Sequence, residues 1–180
     1  MSINKGLIFL PVATFSLTGS EWLLRLSKQG VRIDEEVERL LVPQKEETRS
    51  QFGRYTAPAI AREAVIVKGF HNSRAELLEM RKQRGWRFAP PEVACYVRET
   101  LTDEDLLVMQ LQSISVEMQE PFRYHYRYGD VPTYEQNLLL CIHRNGAFTD
   151  AGEKTMGGRH LGVSYTTGSI DPARGHLFLC

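Results

Sequence analysis

The residues able to do chemistry are few and scattered. The five histidines are His71, His125, His143, His160 and His176, and the three cysteines are Cys95, Cys141 and Cys180. His143 and His160 with a carboxylate such as Asp150 supply the residue types of general acid–base catalysis. An imidazole exchanges a proton near neutral pH and a carboxylate orients it. That trio allows a small hydrolase or nuclease, with His143, His160 and Asp150 as its catalytic set. Cys141-x-His143, joined by His160 or Cys180, offers donors for a metal but lacks the paired spacing of zinc sites, so no metal or other cofactor is expected.

Two further clusters invite chemistry and resist it. Glu92, Cys95, Arg98 and Glu99 share one short stretch, and helical spacing sets Glu92, Cys95 and Glu99 opposite a buried stripe of Val93, Ala94, Val97 and Leu101. Two carboxylates beside a thiol disfavour the thiolate. That side is expected to face solvent or a partner. "GEKTMGGRHLG" spaces Gly152 and Gly157 like a phosphate loop, but Gly158-Arg159 stands where Lys-Ser/Thr is needed. A glycine-rich hairpin loop is the expectation, with Lys154, Arg159 and His160 available to an anion.

The stretch "PFRYHYRYGDVP" alternates strictly. Phe122, Tyr124, Tyr126 and Tyr128 fall on one parity, and Arg123, His125 and Arg127 on the other. A strand with this pattern either buries its rings and solvates its cations, or presents a platform on which nucleobases stack. From Lys68 to Arg87, six cations (Lys68, Arg74, Arg81, Lys82, Arg84, Arg87) stand against Glu76 and Glu79, whereas the region from Leu101 onward is acidic. Lys68, Arg74, Arg81, Lys82, Arg84 and Arg87 with Arg123, His125 and Arg127 therefore form the candidate binding surface, its partner a protein or a single-stranded nucleic acid held through phosphates. The favoured reading is a small non-enzymatic binding or accessory protein. The hydrolase or nuclease is the alternative, and a homodimer paired through "FRYHYRYGD" as an exposed edge strand is a third.

The bulk numbers fit either. A chain of 180 residues with 42% hydrophobic and 24% charged residues is an ordinary globular composition. The 22 basic and 22 acidic residues cancel, so any electrostatic partner has to be met locally. Widely spaced cysteines in odd number, with no CxxC pair, point to a reducing, cytoplasmic setting. The apolar run from Leu7 to Leu17 looks superficially like a signal peptide, but Pro11 interrupts it and no small-residue cleavage site follows. It is far short of a membrane span, and no membrane partner is expected.

The elements that must position these residues are partly legible. Thr18-Gly-Ser-Glu21 is a capping box, with Leu17 and Trp22 as a hydrophobic staple and Gly30 as the left-handed stop. Asp34 opens a second short helix to Leu41, ahead of Pro43. Residues 44–62 read as a linker or long loop. "EAVIVKG" is a strand, Ser73-x-x-Glu76 opens a helix ending at Gly85, "PPEVACYVRETL" is a helix, and Thr102 opens another. Ile114, Val116 and Met118 alternate with polar residues, a half-buried strand. "NLLLCIHRNGAF" carries an Asn145-Gly146 hairpin signal, and "HLGVSY" and "HLFLC" are further strands.

"TGSEWLLRLSKQG", and above all "VKGF…RAELLEMRKQRGWRFAPPEVACYVRETLTDEDLL" followed by a strand and "EP", resemble a group of hypothetical bacterial proteins best known from reduced-genome candidate phyla. The resemblance covers roughly residues 61–121. It implies helix, proline and strand positions but no activity, cofactor or catalytic residue, and it marks "FRYHYRYGDVPTYEQN" as a local elaboration. The expected fold is α+β: N-terminal and central helices followed by an antiparallel sheet. Residues 1–62 form a helical hairpin and linker, and residues 63–180 an α+β core, together short enough to be one compact domain.

Overall fold

The computed structural model describes residues 2–4, 6–15, 17–42, 61–68, 73–119, 122–126, 134–144, 159–165 and 173–180. Asp150, Arg127, Tyr128, the Asn145-Gly146 turn, the glycine-rich loop before Arg159 and most of the expected linker lie outside them. In chain order the elements are β1 (Ser2–Asn4), β2 (Leu7–Ala13), α1 (Gly19–Lys28), β3 (Arg32–Ile33), α2 (Glu35–Leu41), β4 (Ala61–Val67) and α3 (Arg74–Gln83). There follow α4 (Glu92–Thr100), α5 (Asp103–Val108), β5 (Ser113–Val116), β6 (Phe122–Tyr126), β7 (Tyr134–His143), β8 (His160–Tyr165) and β9 (Arg174–Leu179).

Local signals set the helix ends. Thr18 and Glu21 close a reciprocal capping box on α1, as do Ser73 and Glu76 on α3 and Thr102 and Asp105 on α5. α1 stops where Gly30 turns left-handed at φ 71°, and Val31 N returns to Leu26 O. α4, with Pro91 at its N-cap, has no side-chain cap, and neither has α2: Asp34 occupies its N-cap position, yet its side chain caps nothing.

The fold is α+β, but the strands do not wait for the helices to finish. Among the described residues they form one mixed sheet in the order β1-β2-β4-β9-β5-β7-β8-β3, with β6 also on β7. The β5–β9 and β3–β8 pairs are parallel, and the other pairs are antiparallel. The terminal apolar run, expected to feed the helical hairpin, is itself strand β2, paired with β4 from Leu7↔Val67 to Ala13↔Ala61. Pro11 is compatible with this because it is exposed and lies past the end of β1, whose pairing stops at Phe9. There β2 is an edge, the place in a sheet that tolerates proline. Because β2 joins β4 and β3 joins β8, residues before and after position 62 share one sheet and one core.

The main core lies on one sheet face. Ile8, Leu10, Ile66, Ile114, Leu140, Ile142 and Leu161 meet Trp22 and Leu26 of α1, Val37 and Leu41 of α2, Val93 and Val97 of α4 and Leu106 of α5. On the other face, α3 covers only one part: Leu77 packs with Val65, Val67, Trp86 and Phe178. Beyond that part, across β5, β7 and β8, the second face is mostly polar, with Leu139 as its buried apolar member.

Two expectations change here. β5 is buried at every position rather than half-buried, because its serines turn toward this second face, which is also covered. The Glu92/Cys95/Glu99 side of α4 is interior, not solvated. Glu92 accepts a hydrogen bond from Phe15 N at 2.7 Å, and Glu99 pairs with Arg25 at 2.5 Å, so α1 and the segment before it cover that side.

Candidate active site

Side chains alternate along a strand, so residues in register on neighbouring strands line up in rows across one face. On the second face one row runs Arg174, Ser113, His143, His160. The next runs Val67, His176, Ser115, Cys141, Gly162. Ser115, Cys141, His160, Ser164 and His176 are all buried. Ser115 Oγ and Ser164 Oγ meet at 3.1 Å across the intervening β7, although their strands are two spacings, about 9.6 Å, apart in a flat sheet. The sheet is therefore curled toward this polar face.

Cys141 is at its centre. Its Sγ lies 3.7 Å from Ser115 Oγ, and His143, two positions along β7, faces the same way. Burial pushes the Cys141 thiol up, but the charge and hydrogen bond of His143, the Arg174 guanidinium and the Ser115 hydroxyl outweigh it and bring the thiol down to about 7. Burial pulls His143 the other way, toward the neutral ring. The Cys141 thiolate and then the Asp34 carboxylate overcome that and raise it, against the opposing charge of Arg174. Each group thus favours the charge of the other, toward thiolate and imidazolium, the form in which a cysteine is nucleophilic.

Gly162 makes the space. It is Cys141's partner in register, and a Cβ there would collide with Asp34 Oδ2 and stand 3.2 Å from His143 Nε2. Asp34 reaches this spot because its carboxylate turns away from the helix it should cap. Its Oδ1 accepts from His160 Nε2 at 2.6 Å. The other ring nitrogen of His160, Nδ1, is buried and without a hydrogen-bond partner. The His143 and His160 rings stack with centroids 5.1 Å apart. From the core side, Arg98, fully buried, donates to the His143 carbonyl at 3.0 Å and to Leu101 O, and pairs with Asp103 at 3.2 Å, fixing the end of β7.

Of the residues singled out in the sequence, His143 and His160 therefore lie side by side, with Asp34 as the carboxylate they share. The sequence offers Cys141 as a metal donor, yet it also carries the signal for this pair: two positions apart on a strand, Cys141 and His143 face the same way. Among the described residues no group of three or more His, Cys, Asp or Glu could hold a metal ion. Cys95, by contrast, is held as a thiol, pushed up by burial and by Glu92.

The cationic residues do not share one role. Lys68 Nζ donates to Met109 O at 3.1 Å, Arg74 pairs with Glu117 at 2.8 Å, and Arg81 donates to Trp86 O and lies 4.2 Å over the Phe88 ring. Lys82, Arg84 and Arg87 are exposed. Arg123 and His125 are on β6, opposite Asn137 and Glu135 of β7. No helix among the described residues is long and apolar enough to cross a membrane.

Compared with family models, curated proteins and solved structures, the chain matches none.

Proposed function

We propose that this chain is a small thiol hydrolase, with Cys141 as nucleophile and His143 as its acid–base partner. The observation that carries this reading is the Cys141–His143 pair on a buried polar sheet face, with the N-cap carboxylate of Asp34 diverted to it. In the first step the Cys141 thiolate attacks the carbonyl carbon of an ester, thioester or amide. The carbon–leaving-group bond breaks, and the leaving group takes the proton of the His143 imidazolium. A thioester on Cys141 remains. The Ser115 hydroxyl, 3.7 Å from Cys141 Sγ, and the Ser164 hydroxyl, 3.1 Å from that of Ser115, are the donors this reading assigns to the oxyanion that forms. Asp34 favours the charged His143, and the Asp34–His160 bond holds that carboxylate in place.

Small activated esters such as p-nitrophenyl acetate test the reading. Turnover is expected in the native chain and lost in Cys141→Ala and in His143→Ala. Undiminished turnover in Cys141→Ala would overturn it.

A binding role is a second reading, favoured by the exposure of Lys82, Arg84 and Arg87 at and after the end of α3. Fluorescence anisotropy with short single-stranded RNA and DNA checks it. Binding that weakens steeply with salt and falls in the triple alanine variant supports it, and no binding at low salt rejects it.

A further inference from the structure

On the far side of Ser115 from Cys141 is a second histidine–carboxylate dyad that the first chemical step does not use. His176 Nδ1 donates to Glu117 Oε1 at 2.9 Å, and Arg74 donates to Glu117 Oε2 at 2.8 Å. Glu117 has no exposed surface and His176 has 5%. A carboxylate accepting at Nδ1 fixes the tautomer of the neutral ring, which keeps its proton on Nδ1 and its lone pair on Nε2. That Nε2 is buried without a hydrogen-bond partner. A buried polar atom left unmatched is destabilising, so its retention calls for a partner or a use.

Its place in the fold gives the orphan nitrogen a use. His176 is in register with Ser115, and Ser115 with Cys141, so imidazole, hydroxyl and thiol stand in one row on neighbouring strands of the second face. Cys141 thus has His143 beside it on its own strand and His176 beyond Ser115. A hydrolase needs both in sequence: an acid for the leaving group, then a base for water.

We propose that His176, oriented by Glu117 and Arg74, is the base that activates the hydrolytic water in the second step. This inference rests on the thiol-hydrolase reading. Water adds its oxygen to the thioester carbonyl and gives its proton to His176 Nε2. The carbon–sulfur bond then breaks, Cys141 leaves as the thiolate facing the His143 imidazolium once solvent has reprotonated it, and the His176 proton passes to solvent.

The test is His176→Asn, whose side-chain amide keeps a donor toward Glu117 while removing the position of Nε2. Circular dichroism and thermal unfolding confirm the fold, and His176→Gln serves as the second variant if Asn does not fold. Each protein is mixed with p-nitrophenyl acetate. The nitrophenolate burst reports acylation, and intact mass with peptide mapping reports acetyl on Cys141. The expected result is an unchanged burst followed by turnover at least tenfold slower, with acetyl-Cys141 accumulating. An unchanged burst with unchanged turnover overturns the role of His176 and leaves Cys141 as nucleophile. No burst and no acetyl-Cys141 in the native chain overturns the thiol-hydrolase reading and this inference with it.

Discussion

The ionisation of Cys141 is where the site can be refuted most directly. Its thiol falls from an ordinary 9.0 to about 7 in the folded chain. A displacement of two pH units corresponds to about 3 kcal/mol in favour of the thiolate. His143 supplies the largest share of that, against a burial cost that works the other way. In His143→Ala the cost remains and its main compensation is gone, so the midpoint should move to about 9 or above. At pH 7.5 the thiolate fraction would then fall from roughly three quarters to roughly 3% or less. Alkylation rates would understate this, because a thiolate of higher pKa is intrinsically more nucleophilic, by roughly eightfold over two pH units. The appropriate assay is the ultraviolet absorbance of the thiolate against pH, taken as the difference between each protein and its Cys141→Ser counterpart. Stability carries the same sign. A depressed thiol contributes fully above its ordinary value and loses that contribution as pH falls through about 7. The advantage of the native chain over Cys141→Ser in thermal unfolding should therefore shrink on acidification. A native midpoint near 9, or one that His143→Ala leaves in place, would refute the ion pair.

Three further outcomes follow from the same geometry. Gly162→Ala places a methyl where Asp34 Oδ2 lies, so the carboxylate must retreat from His143. The Cys141 midpoint should then rise by a fraction of the His143→Ala effect, read in the same titration. Arg98→Met strips a buried donor from the carbonyls of His143 and Leu101 and from Asp103, with an expected loss of about 3–5 kcal/mol in denaturant unfolding. Gly19→Ala drives a Cβ into the Leu41 carbonyl at the α1–α2 seam and should cost about 1–3 kcal/mol by the same measurement, with no change in the Cys141 midpoint.

What the sequence made legible is what local chemistry decides. The boxes at Thr18 and Ser73 and the helix start at Thr102 can be read without knowing anything distant, because each is completed within four residues. The two rows of the candidate site cannot. His160 and Asp34 are 126 positions apart, and the parallel joins β5–β9 and β3–β8 bring together segments whose patterns contain no mark of one another. Alternation in β5 was visible, but alternation says only that serines share a face, not whether water covers it. β2 was hidden by Pro11, whose tolerance depends on where the neighbouring strand ends.

The two rules that fail most plainly fail in the same place. An aspartate at an N-cap ordinarily accepts from the first turn of its helix, which is worth about 1 kcal/mol, and Asp34 forgoes it. Serines on the polar parity of a strand ordinarily meet solvent, and Ser115 is buried against Cys141 and Ser164 instead. Departures from local preference scattered over a fold would be noise. Here Asp34 and Ser115 contribute to one face and stand on either side of the same cysteine–histidine pair. Chains violate such rules chiefly where a site needs the residue elsewhere. The convergence of both departures on Cys141 and His143 is what separates this face from an ordinary polar lining. It is also why the thiol, rather than the exposed cations of α3, is the group to perturb first.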